Sequence, residues 1–137
     1  MRMANQQQLN ILMKGVDTWN QWRNENPEII PDLRKANLTD LNLRGANLDY
    51  THLEQAILVN TNLSEGSLKK ANLSYGNLAG VICFKTILSE ANVSYATLIN
   101  SDLSKANLEN AKLNHAYIVN SYLVDTNLDQ ANLEESD

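Results

Sequence analysis

Two histidines and one cysteine are the side chains of this 137-residue sequence best suited to bind a metal or carry redox chemistry. His52 and His115 could act together only if the fold brought them within a few ångströms of each other. Cys83 stands alone, so it cannot form an internal disulfide; a reducing cytoplasm is the compartment expected. The sequence shows no glycine-rich phosphate loop, no H-E-x-x-H pair and no Ser/His/Asp grouping in a supporting context. What these three residues can do therefore depends on the elements that hold them.

Length alone suggests one domain with a respectable core. The chain holds one Phe, two Trp and five Tyr, so leucine has to build the interior with little aromatic help. A formal charge of −5 and a pI near 4.9 give no basic face, which argues against nucleic acid as a partner. The N-terminus lacks a basic region followed by an apolar core, so no secretory leader is expected. No apolar run approaches the ~20 residues of a membrane span.

The strongest signal is self-similarity. Counting by fives from Leu33 to Leu133 visits 21 positions, of which 18 are Leu and the others Cys83, Val93 and Ile118. The residue two before each is Ala, Gly, Ser or Thr in 18 cases, broken only by Pro31, Leu41 and Val81. Ten of the residues immediately before the central position are Asn, and the frame never slips between Pro31 and Glu135. An α-helix would smear these leucines around its cylinder, because five residues advance by ~140° net. A flat strand would put alternate leucines in water. A backbone that turns a corner every five residues returns each Leu to the interior. Four corners then close a square coil of twenty residues, stacked at about 4.8 Å.

Segments such as Ala36-Asn37-Leu38-Thr39-Asp40, Ala71-Asn72-Leu73-Ser74-Tyr75 and Ala106-Asn107-Leu108-Glu109-Asn110 resemble the A-(D/N)-L-x-x unit of the pentapeptide-repeat family. The resemblance implies an all-β solenoid, a right-handed quadrilateral β-helix of about five coils, covering residues 31–135. In that geometry the leucines stack in the middle and the small residues face inward near the corners. Asn suits a corner through its bonds to nearby backbone and its tolerance of unusual φ/ψ. The two remaining positions of each unit are expected to face solvent.

Residues 1–30 then form an N-terminal cap and linker, and 136–137 a short C-terminal tail. Leu12, Val16, Trp19 and Trp22, with Leu9 and Met13, recur at helical spacing and predict one helix over about 4–24, stopped by Pro27 and Pro31. The segment 15–23 followed by Asn26-Pro27 resembles the N-terminal cap of small cyanobacterial members of the family, which suggests such a source. Leu41 would fill space under this helix. The rival reading is a helix that docks on a partner. At the other end the last leucines have nothing to cover them, so the chain is expected to be a monomer or a weak dimer through its C-terminal end. Asp125, Asp129, Glu134, Glu135 and Asp137, with no basic residue among 125–137, oppose such pairing.

On this coil three turns, about 14 Å, separate the two histidines, too far to share a metal. Cys83 takes a leucine position and should be buried and inert. Neither a cofactor nor a metal is expected, and the chain reads as non-enzymatic. Residues twenty apart stack into four walls. One presents Val59, Ile99 and Val119, flanked by Ile57 and Tyr117; its neighbour presents Ile82, Phe84, Tyr122 and Val124. Contiguous exposed apolar area of this kind often marks an interface, although β-branched residues also suit a flat wall for their strand propensity. The run 80–84 fits the repeat worst and predicts a local bulge, while Tyr75 and Tyr95 with Gln55 and His115 predict an ordinary stack.

The leading functional expectation is a protein-interaction scaffold with a protein partner. The resemblance adds that a heterocyst-regulating cyanobacterial member works by protein binding. It also adds an alternative, a DNA-mimic gyrase inhibitor or protector. Those rods are strongly acidic, whereas Lys69, Lys70, Lys85, Lys105 and Lys112 interrupt any acidic strip here. A structural rod that self-associates is a further alternative.

Overall fold

The computed structural model describes residues 3–137. Two helices come first, α1 (Gln6–Met13) and α2 (Val16–Glu25). The single helix expected over 4–24 is interrupted because Gly15 takes φ 116°, a conformation that removes it from any helix. Asn5 caps α1 by accepting the Gln8 N–H. Leu12 and Trp19 are fully buried, and Leu9, Ile11, Val16 and Trp22 pack against the same core.

From Asp32 onward the chain forms parallel bridges between residues twenty apart. Four ladders result, through 32-52-72-92-112-132, 37-57-77-97-117, 42-62-82-102-122 and 47-67-87-107-127. They define four walls, here called first to fourth in that order. Each bridge is one residue long, because a turn follows it at once. The central residues from Leu33 to Leu113 are all buried, with the small residues Ala36, Ala46, Ala56, Ala71, Ala91 and Ala106 beside them. At about 25 cal/mol per Å² of apolar area removed from water, this leucine stack is the dominant stabilising term.

The turn that closes each unit is built the same way throughout. The carbonyl of Leu33 accepts the Ala36 N–H at 3.1 Å, and that of Leu53 the Ala56 N–H at 3.0 Å. The residue two after each central position is left-handed: 19 non-glycine residues have φ of 55–62°, joined by Gly45 and Gly80. A four-residue turn with φ > 0 at its third position follows. Asn keeps half of its expected part, the bond to nearby backbone. It is not itself left-handed; all ten repeat asparagines accept, through Oδ1, the N–H two residues on, at 2.9–3.2 Å. Asn thus fixes the start of the turn, and the strain sits three residues later.

The bulge expected over 80–84 is absent. Ile82 bridges both Asn62 and Asp102, and Val81 and Cys83 are buried like any Ala and Leu of the repeat. The interior here accommodates a β-branched residue beside the smaller thiol.

Candidate functional site

Free backbone edges are the first places on a solenoid where binding could occur. At the N-terminal edge α1 and α2 occupy part of the rim. Asp32 receives the Asn5 N–H on its carbonyl at 2.8 Å and donates its own N–H to Gln8 Oε1 at 2.7 Å. Trp19 Nε1 donates to the Asn47 carbonyl at 2.7 Å, and Asn20 Oδ1 accepts the Asn47 N–H at 2.8 Å. Arg23 donates to the Asp49 carbonyl at 2.9 Å; burial lowers its pKa, and nearby Asp49 opposes that shift. These bonds lie on the first and fourth walls. Of the four expected cap residues, Trp19 both packs and bonds, whereas Leu12, Val16 and Trp22 pack only. Leu41 is partly buried against the core.

The chemistry-bearing side chains do not assemble. His52 lies in the first ladder with Nδ1 3.1 Å from Glu54 Oε1. His115 lies at a left-handed position of the same wall, 3.2 Å from Glu135. Its ring stacks on Tyr95 at 4.5 Å, and Tyr95 on Tyr75 at 4.8 Å, so the three rings of the expected column stack. Among the described residues no group of three or more His, Cys, Asp or Glu could hold a metal ion. Cys83 is buried, and burial pushes its thiol up to about 12. Among the described residues no helix is long and apolar enough to cross a membrane.

The second and third walls present the apolar surface, but unevenly. Val59, Phe84 and Ile99, each following a central residue, are only half-exposed. Ser64, Ser74 and Ser94 at equivalent positions are buried outright. The solvent-facing expectation therefore holds for only part of this position. The truly exposed members are Ile57 (38%), Ile82 (40%), Tyr117 (52%), Val119 (41%), Tyr122 (67%) and Val124 (60%). Four of the six fall between residues 117 and 124, where the second wall turns into the third. Leu123, a central residue, is exposed beside them. Lys85 and Lys105 lie over the Phe84 ring at 5.3 and 5.9 Å, a cation–π arrangement that covers the ring face.

One feature of the second wall lay outside the apolar reading: its charge. Asp40 stands at its top, and Asp137 bonds to the Ala116 carbonyl at its foot. Between them residues 56–60, 76–80, 96–100 and 116–120 contain no charged side chain. Every other wall carries acids and bases, paired as Arg34–Asp32, Arg44–Glu65 or Lys70–Glu90. Grouping the sequence by twenties with charge as the variable would have found this.

Known proteins with this architecture share its repeat. The chain matches the model for pentapeptide repeats in overlapping segments from residue 36 to residue 137. It is similar to HetL, a pentapeptide repeat protein involved in heterocyst differentiation regulation in the cyanobacterium Nostoc, at 33% identity and TM-score 0.65. That likeness covers 66% of this chain and 38% of HetL, so the chain spans little more than a third of that protein. A pentapeptide repeat protein of the Arabidopsis thaliana thylakoid lumen matches with TM-score 0.54 at 22% identity, over 64% of this chain and 65% of its own. No curated protein matches the sequence. With the five-residue frame, the four ladders and the matched segments in agreement, the chain belongs to the pentapeptide-repeat family.

Proposed function

We propose that this chain is a non-enzymatic protein-interaction scaffold, a right-handed four-sided β-helix of about five coils that engages a protein partner at the corner between its second and third walls. The observation that carries this reading is the cluster of Tyr117, Val119, Tyr122 and Val124, all exposed where the second wall turns into the third. Monomers rarely leave contiguous apolar area of this kind uncovered without use, and Tyr is enriched where interfaces concentrate their energy. A regulatory role is the one to which the likeness to HetL, a protein involved in heterocyst differentiation regulation, lends support; a reducing cytoplasm remains the compartment we propose from the lone Cys83. The charge pattern favours this over mimicry of DNA, since Lys69, Lys70, Lys85, Lys105 and Lys112 break any continuous acidic face.

The test is affinity capture from host lysate with wild type and with a Tyr117→Glu/Val119→Glu variant, whose side chains are exposed and so leave the fold intact. A protein held by wild type and lost by the variant supports the reading. A partner held equally by both places the interface elsewhere.

A further inference from the structure

We infer that the charge-free second wall is the contact face for a second copy of this chain. The inference rests on reading that corner as an interface, and it names the partner. Two properties of the wall point to a copy rather than to an arbitrary protein.

The first is charge. The chain carries −5, so copies repel one another on approach. Three of the four walls would also have to desolvate acidic and basic groups against each other, which costs more than their pairing returns. The second wall alone, between Asp40 and Asp137, brings no charge to such a contact over 56–60, 76–80, 96–100 and 116–120. Its outward groups are apolar or uncharged polar, with Asn60, Asn100 and Asn120 in one column at left-handed positions. Gly80 completes that column because a Cβ there would lie 2.3 Å from Asn60 Oδ1.

The second property is spacing. The ladder 37-57-77-97-117 repeats every twenty residues, so its side chains form rows one rung apart, about 4.8 Å. Only a surface with the same rung spacing can set its rows into the grooves of this one along the whole height. A second copy has that spacing by construction, and a pair of identical faces closes on itself without forming a fibre. Four rungs make a wall only ~20 Å tall. The contact is therefore smaller than the ~800 Å² per partner of a standard interface, and the pair should be weak and concentration-dependent.

The experiment is sedimentation velocity from dilute to millimolar protein, on wild type, Tyr117→Lys/Val119→Lys and Leu133→Glu, with far-ultraviolet circular dichroism and thermal melts confirming that each variant folds; Leu133 is exposed at the C-terminal end, on the first wall. The expected result is a wild-type dimer at high concentration, at least tenfold weaker association in the wall variant, and an unaffected Leu133→Glu pair. A dimer lost only in Leu133→Glu would assign pairing to the C-terminal end and overturn the inference. Wild type monomeric at every concentration would also overturn it. If lysate capture still yields a partner sensitive to Tyr117→Glu/Val119→Glu, the interaction reading survives without the second copy; if both fail, the corner is not an interface.

Discussion

Cys83 sits where leucine stands elsewhere, and its environment makes it a probe of the interior. Burial raises the thiol from 9.0 to about 12, with a hydrogen bond from Thr86 pulling the other way. The unfolded chain loses this proton first, so the thiol's contribution to stability is intact below pH 9 and is lost as pH rises towards 12. Alkylation at pH 8 should accordingly be absent in the native protein and appear only with unfolding, as followed by mass spectrometry through a urea titration. Truncating Leu73 to Ala should destabilise by ~2–5 kcal/mol, because its stacked neighbours hold the void open. The turn residues make a separate point. Asn110→Val places a β-branched residue at φ 58°; it should cost about 1–2 kcal/mol in urea unfolding although the side chain is exposed. The leucines and small residues were legible in the sequence because burial selects their type. The left-handed positions were not, because Lys, Glu, Gln, Tyr and Asn share no side-chain chemistry; closure of the coil imposes the conformation on whatever residue stands there.

At the scale of elements, the helices and the first turn of the solenoid are joined by polar bonds as much as by packing. Asn47 has both its backbone groups served from α2, its carbonyl by Trp19 and its N–H by Asn20. In later turns the corresponding groups are served by neighbouring turns instead: the Ser67 N–H reaches the Ala46 carbonyl. Trp19→Phe keeps most of the packing but leaves that carbonyl without its donor, and should cost about 1–3 kcal/mol in thermal or denaturant unfolding. Apolar spacing located this helical segment, yet it ran through Gly15, because a periodicity of side chains does not register a backbone break. The same spacing could not show which rim groups α2 would satisfy, since Asn20 and Arg23 read only as a polar face.

Across the whole molecule, the walls differ more in charge than in hydrophobicity. The expected apolar patch combined half-buried residues, Val59, Phe84 and Ile99, with exposed ones, since period-five reasoning assigns a position to a wall but not its depth. Val59 and Val119 occupy equivalent positions on the same wall, yet the first is half-buried and the second exposed. What survives is smaller and better placed: the Tyr117–Val124 corner, next to a wall with no charge between its ends. The remaining walls carry acids and bases, some in pairs between turns such as Arg44–Glu65 and Lys70–Glu90, worth at most about 1 kcal/mol each. They serve solubility more than cohesion.

The most direct test of where this molecule binds is a dilution series of two-dimensional amide NMR spectra, from millimolar to low micromolar protein. The expected result is shift changes confined to the second wall, residues 56–60, 76–80, 96–100 and 116–120, and the adjoining corner at 121–124. Changes confined to residues 125–135, or along the Tyr75–Tyr95–His115 column, would contradict it, as would spectra that do not change at all.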